Sequence, residues 1–182
     1  RFYYRAATLS GTTFTFGSEV YHDGYNSGIH GVQMAYNHAD TNVVLVYREY
    51  DDNSNIYSNV LTNSGTTLTV GTKSSSITRG NYQALTHTSS GKVAFALQDY
   101  EAPNASKNVL YTGTASSTGV TWDSAQVIEA NGTGEVQSIV FDSGQGVTIS
   151  SYTNDDDSDM DCRAYKVPVT TTNLDDNYLG VA

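Results

Sequence analysis

The chain repeats itself, and the repeat limits what it can fold into. The stretch QMAYNHADTNVVLVYREYDDNSNIYSNVL, from Gln33, lines up with QALTHTSSGKVAFALQDYEAPNASKNVL from Gln83 and with QSIVFDSGQGVTISSYTNDDDSDMDCRAYKV from Gln137. The three glutamines stand 50 and 54 residues apart, and Val43, Val93 and Val147 keep the same offsets from them. A second pattern recurs as LSGTTFTFG from Leu9, LTNSGTTLTVG from Leu61 and TASSTGVTWD from Thr114, so that Phe16, Val70 and Trp122 share one equivalent place. Self-similarity at a fixed spacing marks an architecture built by stacking one small unit on the next.

One unit of about 52 residues reads through as four short strands. They are predicted near residues 31–36, 43–49, 56–62 and 67–71, with turns at His38 to Asn42, at the acidic run Asp51 to Asn55, and at a Ser-Gly pair. Each run alternates with period two and is bounded by Gly, Asn, Asp and Ser, the residues that supply turn conformations. The wealth of tyrosine (14) and glycine (16) beside only 2 prolines suits pleated strands joined by tight turns. No window keeps an apolar spacing of i, i+3, i+4, i+7 long enough for a helix.

The expected fold is therefore all-β, made of four-stranded antiparallel blades: a β-propeller or part of one, with a β-sandwich or β-solenoid as the alternative architectures. A single blade cannot cover both of its faces and must pack on neighbours. The phase divides one repeat-built domain (1–182) into a half blade (1–20), two complete blades (25–75 and 76–128) and a last blade (129–180). Because the ends fall out of phase with whole blades, the chain reads as part of a larger object, closed by further sequence or by other copies of itself.

Charge narrows the partners. With 9 basic against 19 acidic residues the formal charge is −10, which repels phosphate backbones and anionic lipid headgroups. Nucleic acid is thus an unfavourable partner, and no apolar run is long enough for a membrane helix. Cys162 is the one cysteine, so an internal disulfide is excluded. It reads as a strand residue or a lone reactive thiol.

Several residue groups carry candidate chemistry. Asp155, Asp157, Asp159 and Asp161 alternate in YTNDDDSDMDC and could converge oxygens on calcium, the one cofactor the sequence suggests. The glycine and closing glutamate of an EF-hand are missing, and the equivalent turns DDNSN (51–55) and DYEAPNAS (99–106) are also polar, so a solvated acidic turn is the competing reading. His22, His30, His38 and His87 are scattered without metal-ligand spacing. Glu19, Glu49, Glu101, Glu129 and Glu135 are the glutamates from which a glycoside-cleaving pair would be drawn. Tyr25, Tyr50 and Tyr100 sit beside Asp or Asn in turns, joining an apolar ring to hydrogen-bonding neighbours as a sugar or protein contact requires.

Two resemblances follow from the motifs. SSTGVTW (116–122) is similar to the Asp-box of sialidases, with Ser117 where the aspartate stands, but the arginine triad of that family has no counterpart among Arg1, Arg5, Arg48, Arg79 and Arg163. VYREYDDNSN (46–55) and SGTTFTFG (10–17) resemble repeats in tail-fibre and other virion structural proteins of marine and cyanobacterial phages, as does the closing TTTNLDDNYLGVA (170–182). Leu97 replaces the repeat's tyrosine in blade 76–128. The tail-fibre resemblance implies an extracellular or virion location and a non-enzymatic structural or adhesive role. Its expected partners are a host glycan, other subunits of the same assembly, or a homo-oligomer. A carbohydrate-active propeller enzyme and a cellular surface lectin or adhesin are the alternatives.

Overall fold

The computed structural model describes residues 3–21, 28–37, 41–50, 52–88, 92–129, 136–142, 147–153, 160–166 and 171–172, with backbone alone for Tyr82, Gln137 and from Val147 onward. All regular structure among these residues is β. In chain order the strands are β1 (Tyr3–Tyr4), β2 (Ala7–Ser10), β3 (Thr13–Phe16), β4 (Val20–Tyr21), β5 (Ile29–Asn37), β6 (Asn42–Glu49), β7 (Asn55–Ser64), β8 (Thr67–Val70) and β9 (Thr78–His87). They continue as β10 (Lys92–Asp99), β11 (Lys107–Ala115), β12 (Val120–Trp122), β13 (Gln126–Glu129), β14 (Val136–Asp142), β15 (Val147–Thr153), β16 (Met160–Lys166) and β17 (Thr171–Thr172).

Strands β5 to β8 form an antiparallel meander in chain order, strands β9 to β12 form a second, and β14 to β17 a third. The first two are joined by two residue pairs between β7 and β9, Asn55 with Arg79 and Ile56 with Thr78, and with β13 paired to β11 they make a nine-stranded sheet. This sheet does not close on itself, and the described residues form no ring of blades. The all-β, antiparallel character read from the sequence is present; the propeller is not displayed.

The repeated sequence marks have repeated structural meanings. The glutamines lie at or beside a register shift in the first strand of each meander: between His30 and Gln33 in β5, opposite Ala96 and Gln98 in β9, and between Val136 and Ser138 in β14. An extra residue there bends the strand and raises its local twist. Phe16, Val70 and Trp122 each end a fourth strand, paired with Ala7, Leu61 and Gly113. The next amide then donates back to the third strand: Gly17 to Ala6 O at 2.9 Å, Gly71 to Val60 O at 2.7 Å and Asp123 to Thr112 O at 2.8 Å.

Packing follows from alternation. Successive side chains of a strand point to opposite faces. In β6, Val44 and Val46 join the core shared with Val93, Phe95, Leu97, Val109 and Tyr111 of the second meander, whereas Leu45 and Tyr47 point the other way, toward Tyr4, Tyr57 and Leu61. In β10, Ala94 and Ala96 turn from that shared core to meet Val136 and Ile139 of the third meander. Side chains that cross between meanders confirm face-to-face stacking: Trp122 Nε1 donates to Ser58 Oγ at 3.0 Å, Asn42 Nδ2 to Ser116 O at 3.1 Å, and Gln83 Nε2 to Gly31 O. Central strands covered on both faces explain the near-continuous apolar runs VVLVY and VAFAL. Each fully buried side chain of this size contributes about 1.5–3 kcal/mol.

Candidate functional site

The second strands of the first two meanders end on a buried carboxylate at equivalent positions. Glu49, fully buried, accepts from Lys73 Nζ through Oε2 at 2.7 Å, while its Oε1 has no hydrogen-bond partner among the described residues. The Lys73 ammonium lies 3.6 Å from the centroid of Tyr57, and the Tyr57 hydroxyl donates to Asp52 Oδ2. Burial first, and then the hydrogen bond to Asp52, push the Tyr57 hydroxyl up to about 12; that same hydrogen bond holds the Asp52 carboxyl below its ordinary value. In the second meander Asp99 Oδ1 accepts from Thr78 Oγ1 at 2.7 Å and from the Glu101 amide at 2.9 Å, and Tyr111 OH donates to Oδ2 at 3.4 Å. Both carboxylates are tied down by groups from the segment and strand that follow the first meander. Their chemistry is that of strand-end anchors.

The neighbouring turn is clamped from outside. Asn53 and Ser54 take left-handed φ values of 56° and 62°, the conformation tight hairpin turns demand. Arg79 holds this turn through Nε to Asn53 O and Nη2 to Asn53 Oδ1, both at 2.9 Å. Tyr50, 59% exposed, stands beside it with the Arg48 guanidinium 5.6 Å from its ring centroid and the His30 ring 5.7 Å away, edge to face. Tyr100 occupies the matching corner of the second meander, 39% exposed, its amide donating to Arg79 O at 2.8 Å. Tyr50 and Tyr100 therefore stand at solvent-facing corners of the two meanders.

The other residues singled out in the sequence fare unevenly. Tyr25, Asp155, Asp157 and Asp159 lie outside the described residues, as do His22, His38 and Glu135. Asp161 is the second residue of β16, opposite Tyr152, where only backbone is described, and Cys162 follows it opposite Ser151. The remaining glutamates stand on separate elements: Glu19 pairs with Arg5 at 2.7 Å, Glu49 with Lys73, Glu101 lies in the turn after β10, and Glu129 ends β13 opposite Asn108. Among the described residues no three His, Cys, Asp or Glu side chains gather as a metal site.

A groove that sequence reasoning did not single out lies between the segment leaving the first meander and the end of β12. It encloses about 480 Å³ and is lined by Ser74, Ser76, Tyr111, Trp122, Asp123 and Ser124. Trp122, half-buried, forms its aromatic wall beside Ile77 and Val120, tilted at 56° against Phe95 with 5.8 Å between centroids and held by its bond to Ser58. Gly113 makes this possible, since an added Cβ would stand 2.7 Å from Trp122 Cε3. Asp123 supplies a carboxylate half exposed to solvent, accepting from Thr112 Oγ1 at 2.6 Å. An aromatic face, a row of hydroxyls and one carboxylate can hold a polyhydroxylated ligand by ring stacking and hydrogen bonds. The sequence signal was present in the repeat, where tryptophan stands in the place of Phe16 and Val70. No protein-family model, curated protein or solved structure matches the chain.

Proposed function

We propose that this chain is a non-enzymatic structural and adhesive module of an extracellular assembly, of the kind the phage tail-fibre resemblance implies, and that it contacts a glycan in the groove beside Trp122. The observation that carries the reading is the lining of that groove: one aromatic wall, several hydroxyls and a single carboxylate, Asp123. Glycoside cleavage needs two facing carboxyl groups, whereas Glu49 and Asp99 are buried and engaged with Lys73 and Thr78.

The same reading takes the stacked meanders as part of a β-propeller. Support comes from two features: the contacts between successive units recur, and the first strands β5, β9 and β14 lie beside one another, as strands nearest a propeller axis do.

Trp122 is the one tryptophan, so its emission reports directly on the groove. Titration of bacterial surface oligosaccharides and polysaccharides should quench or shift that emission. Truncation of a stacked anchor costs about 2 kcal/mol, so Trp122→Ala should weaken binding about 30-fold by calorimetry. If no glycan perturbs Trp122, or the alanine variant binds like the parent, the adhesive reading fails. Turnover of a bound glycan, abolished by alanine at one glutamate, would instead establish the enzyme alternative.

A further inference from the structure

One guanidinium of this acidic chain stands without a partner. Arg5 pairs with Glu19, Lys73 with Glu49 and Lys92 with Asp123, while Arg79 is bound to Asn53 and Lys107 to Pro103 O. Arg48 is the exception among the lysines and arginines whose side chains are described. It is half-buried and meets no carboxylate or carbonyl among the described residues, and its Nε is a buried donor with no hydrogen-bond partner there. Buried donors are nearly always satisfied in folded proteins, so an orphan of this kind calls for an explanation.

The surroundings of Arg48 are built rather than open. Its partner in the ladder with β5 is His30, exposed, immediately before the register shift toward Gln33. Gln83 Nε2 donates to Gly31 O and so fixes this bulge, where Gly31 takes a left-handed φ of 57°. The Gly28 carbonyl accepts from the Tyr50 amide at 3.1 Å, and Gly28 passes so close to His30 that an added Cβ would stand 2.6 Å from Nε2. The Tyr50 ring lies 5.6 Å from the guanidinium and 5.7 Å from the His30 ring, and stays 59% exposed. Two strands and a turn thus bring a cation, an imidazole and an open aromatic ring to one corner. The repeat does not demand this set: on the matching rung of the second meander Gln98 faces Asn81, beside Tyr100. Nor do nearby acids answer the charge, since Asp52 accepts from Tyr57, Glu49 from Lys73 and Asp99 from Thr78.

We infer that Arg48, His30 and Tyr50 form a second binding site, which takes the carboxylate of an acidic sugar such as a uronate. The planar guanidinium matches a carboxylate through two parallel N–H bonds. Contact with Tyr50 orients the guanidinium before the ligand arrives, which lowers the ordering cost of binding. His30 adds a ring N–H at the same corner, and the exposed Tyr50 ring offers a pyranose both an apolar surface and a hydroxyl. The net charge of −10 repels anions at long range, so the site selects by contact. The inference does not rest on the groove beside Trp122, which presents a carboxylate, Asp123, where this corner presents a cation.

The test is titration of the full chain with glucuronate, followed by NMR at the Arg48 Nε–H and the His30 ring. Both signals should shift saturably, and glucose, the neutral counterpart, should move neither. Arg48→Gln and His30→Asn install residue types that the second meander already carries on the matching rung, so the fold is kept, as circular dichroism checks. Read at His30, Arg48→Gln should weaken glucuronate about tenfold or more through the loss of charge-assisted hydrogen bonds. Arg5→Gln removes the same charge elsewhere and should leave the affinity within about twofold, since screening blunts distant charges. Equal affinities in these two variants overturn the inference, because the attraction is then absent or a field effect alone. Acetate, inorganic phosphate or glucose binding as tightly as glucuronate also overturns it, since the ring or the carboxylate then contributes nothing. So do unshifted Arg48 and His30 signals in the parent. Trp122→Ala should leave these shifts unchanged; their loss in that variant would assign the ligand to the groove instead, so this site and the glycan reading fail separately.

Discussion

Lys73→Met isolates the energetics of the strand-end anchor. The substitution keeps the length of the side-chain stem but removes the charge that neutralises Glu49, whose carboxylate is fully buried. Removing one partner of a buried ion pair costs about 3–5 kcal/mol, because the other charge stays behind without compensation. Lys73 is itself 31% exposed, so water screens part of the interaction and the lower end, about 3 kcal/mol, applies. Loss of the ammonium contact with Tyr57 adds about 1 kcal/mol. For a chain of this size the combined loss of about 4 kcal/mol corresponds to a fall in Tm of about 8–16 °C. Urea denaturation followed by far-UV circular dichroism measures it directly. Glu49→Leu combined with Lys73→Met should return stability to within about 1 kcal/mol of the parent, because an apolar pair of similar volume avoids the desolvation cost. A single-variant loss below about 1 kcal/mol, or a double variant no better than the single one, would show that Glu49 is not held as a desolvated charge and would refute the reasoning.

Two further outcomes follow from the packing. Tyr57 and Tyr111 are each pushed up to about 12, chiefly by burial, and Tyr4 and Tyr47 are raised further still. A hydroxyl whose folded value lies above its unfolded value of about 10 stabilises the fold in full below that pH and loses this contribution as pH rises from about 10 through 12. Near-ultraviolet titration should therefore show a late tyrosinate phase that coincides with loss of circular dichroism; complete ionisation of all 14 tyrosines with the fold intact would contradict it. Gly71→Ala should destabilise by about 1–3 kcal/mol, since the new Cβ would stand 2.7 Å from Thr118 O and 3.0 Å from Val60 O, both backbone atoms. Gly119→Ala, with nothing within 4 Å of its Cβ, should lie within about 0.5 kcal/mol of the parent in the same urea assay, and equal effects at the two glycines would remove Gly71 from the stacking contact.

Much of the local structure was legible in the residues because it depends on neighbours along the chain. The strands expected near 31–36, 43–49, 56–62 and 67–71 stand at Ile29–Asn37, Asn42–Glu49, Asn55–Ser64 and Thr67–Val70. Period-two alternation and turn chemistry are properties of a few adjacent residues, so they survive whatever the tertiary arrangement does. The repeated glutamines were visible as a period, but their meaning as the mark of a bulge depends on which residues of the adjacent strand they face.

Only the tertiary structure decided what lies across from what. Lys73 reaches Glu49 from 24 positions away, and Trp122 bonds Ser58 from 64 away, so the contacts that build the anchor and the groove have no local signature. Exposure was likewise undecided: Met34 of β5 is open while Leu85 of β9 is buried, because Leu85 packs in the core shared by the first two meanders. The sequence by itself determined an all-β chain of recurring meanders, since alternation and turns are written residue by residue. The stack and its anchors come from contacts between units, which no single unit encodes.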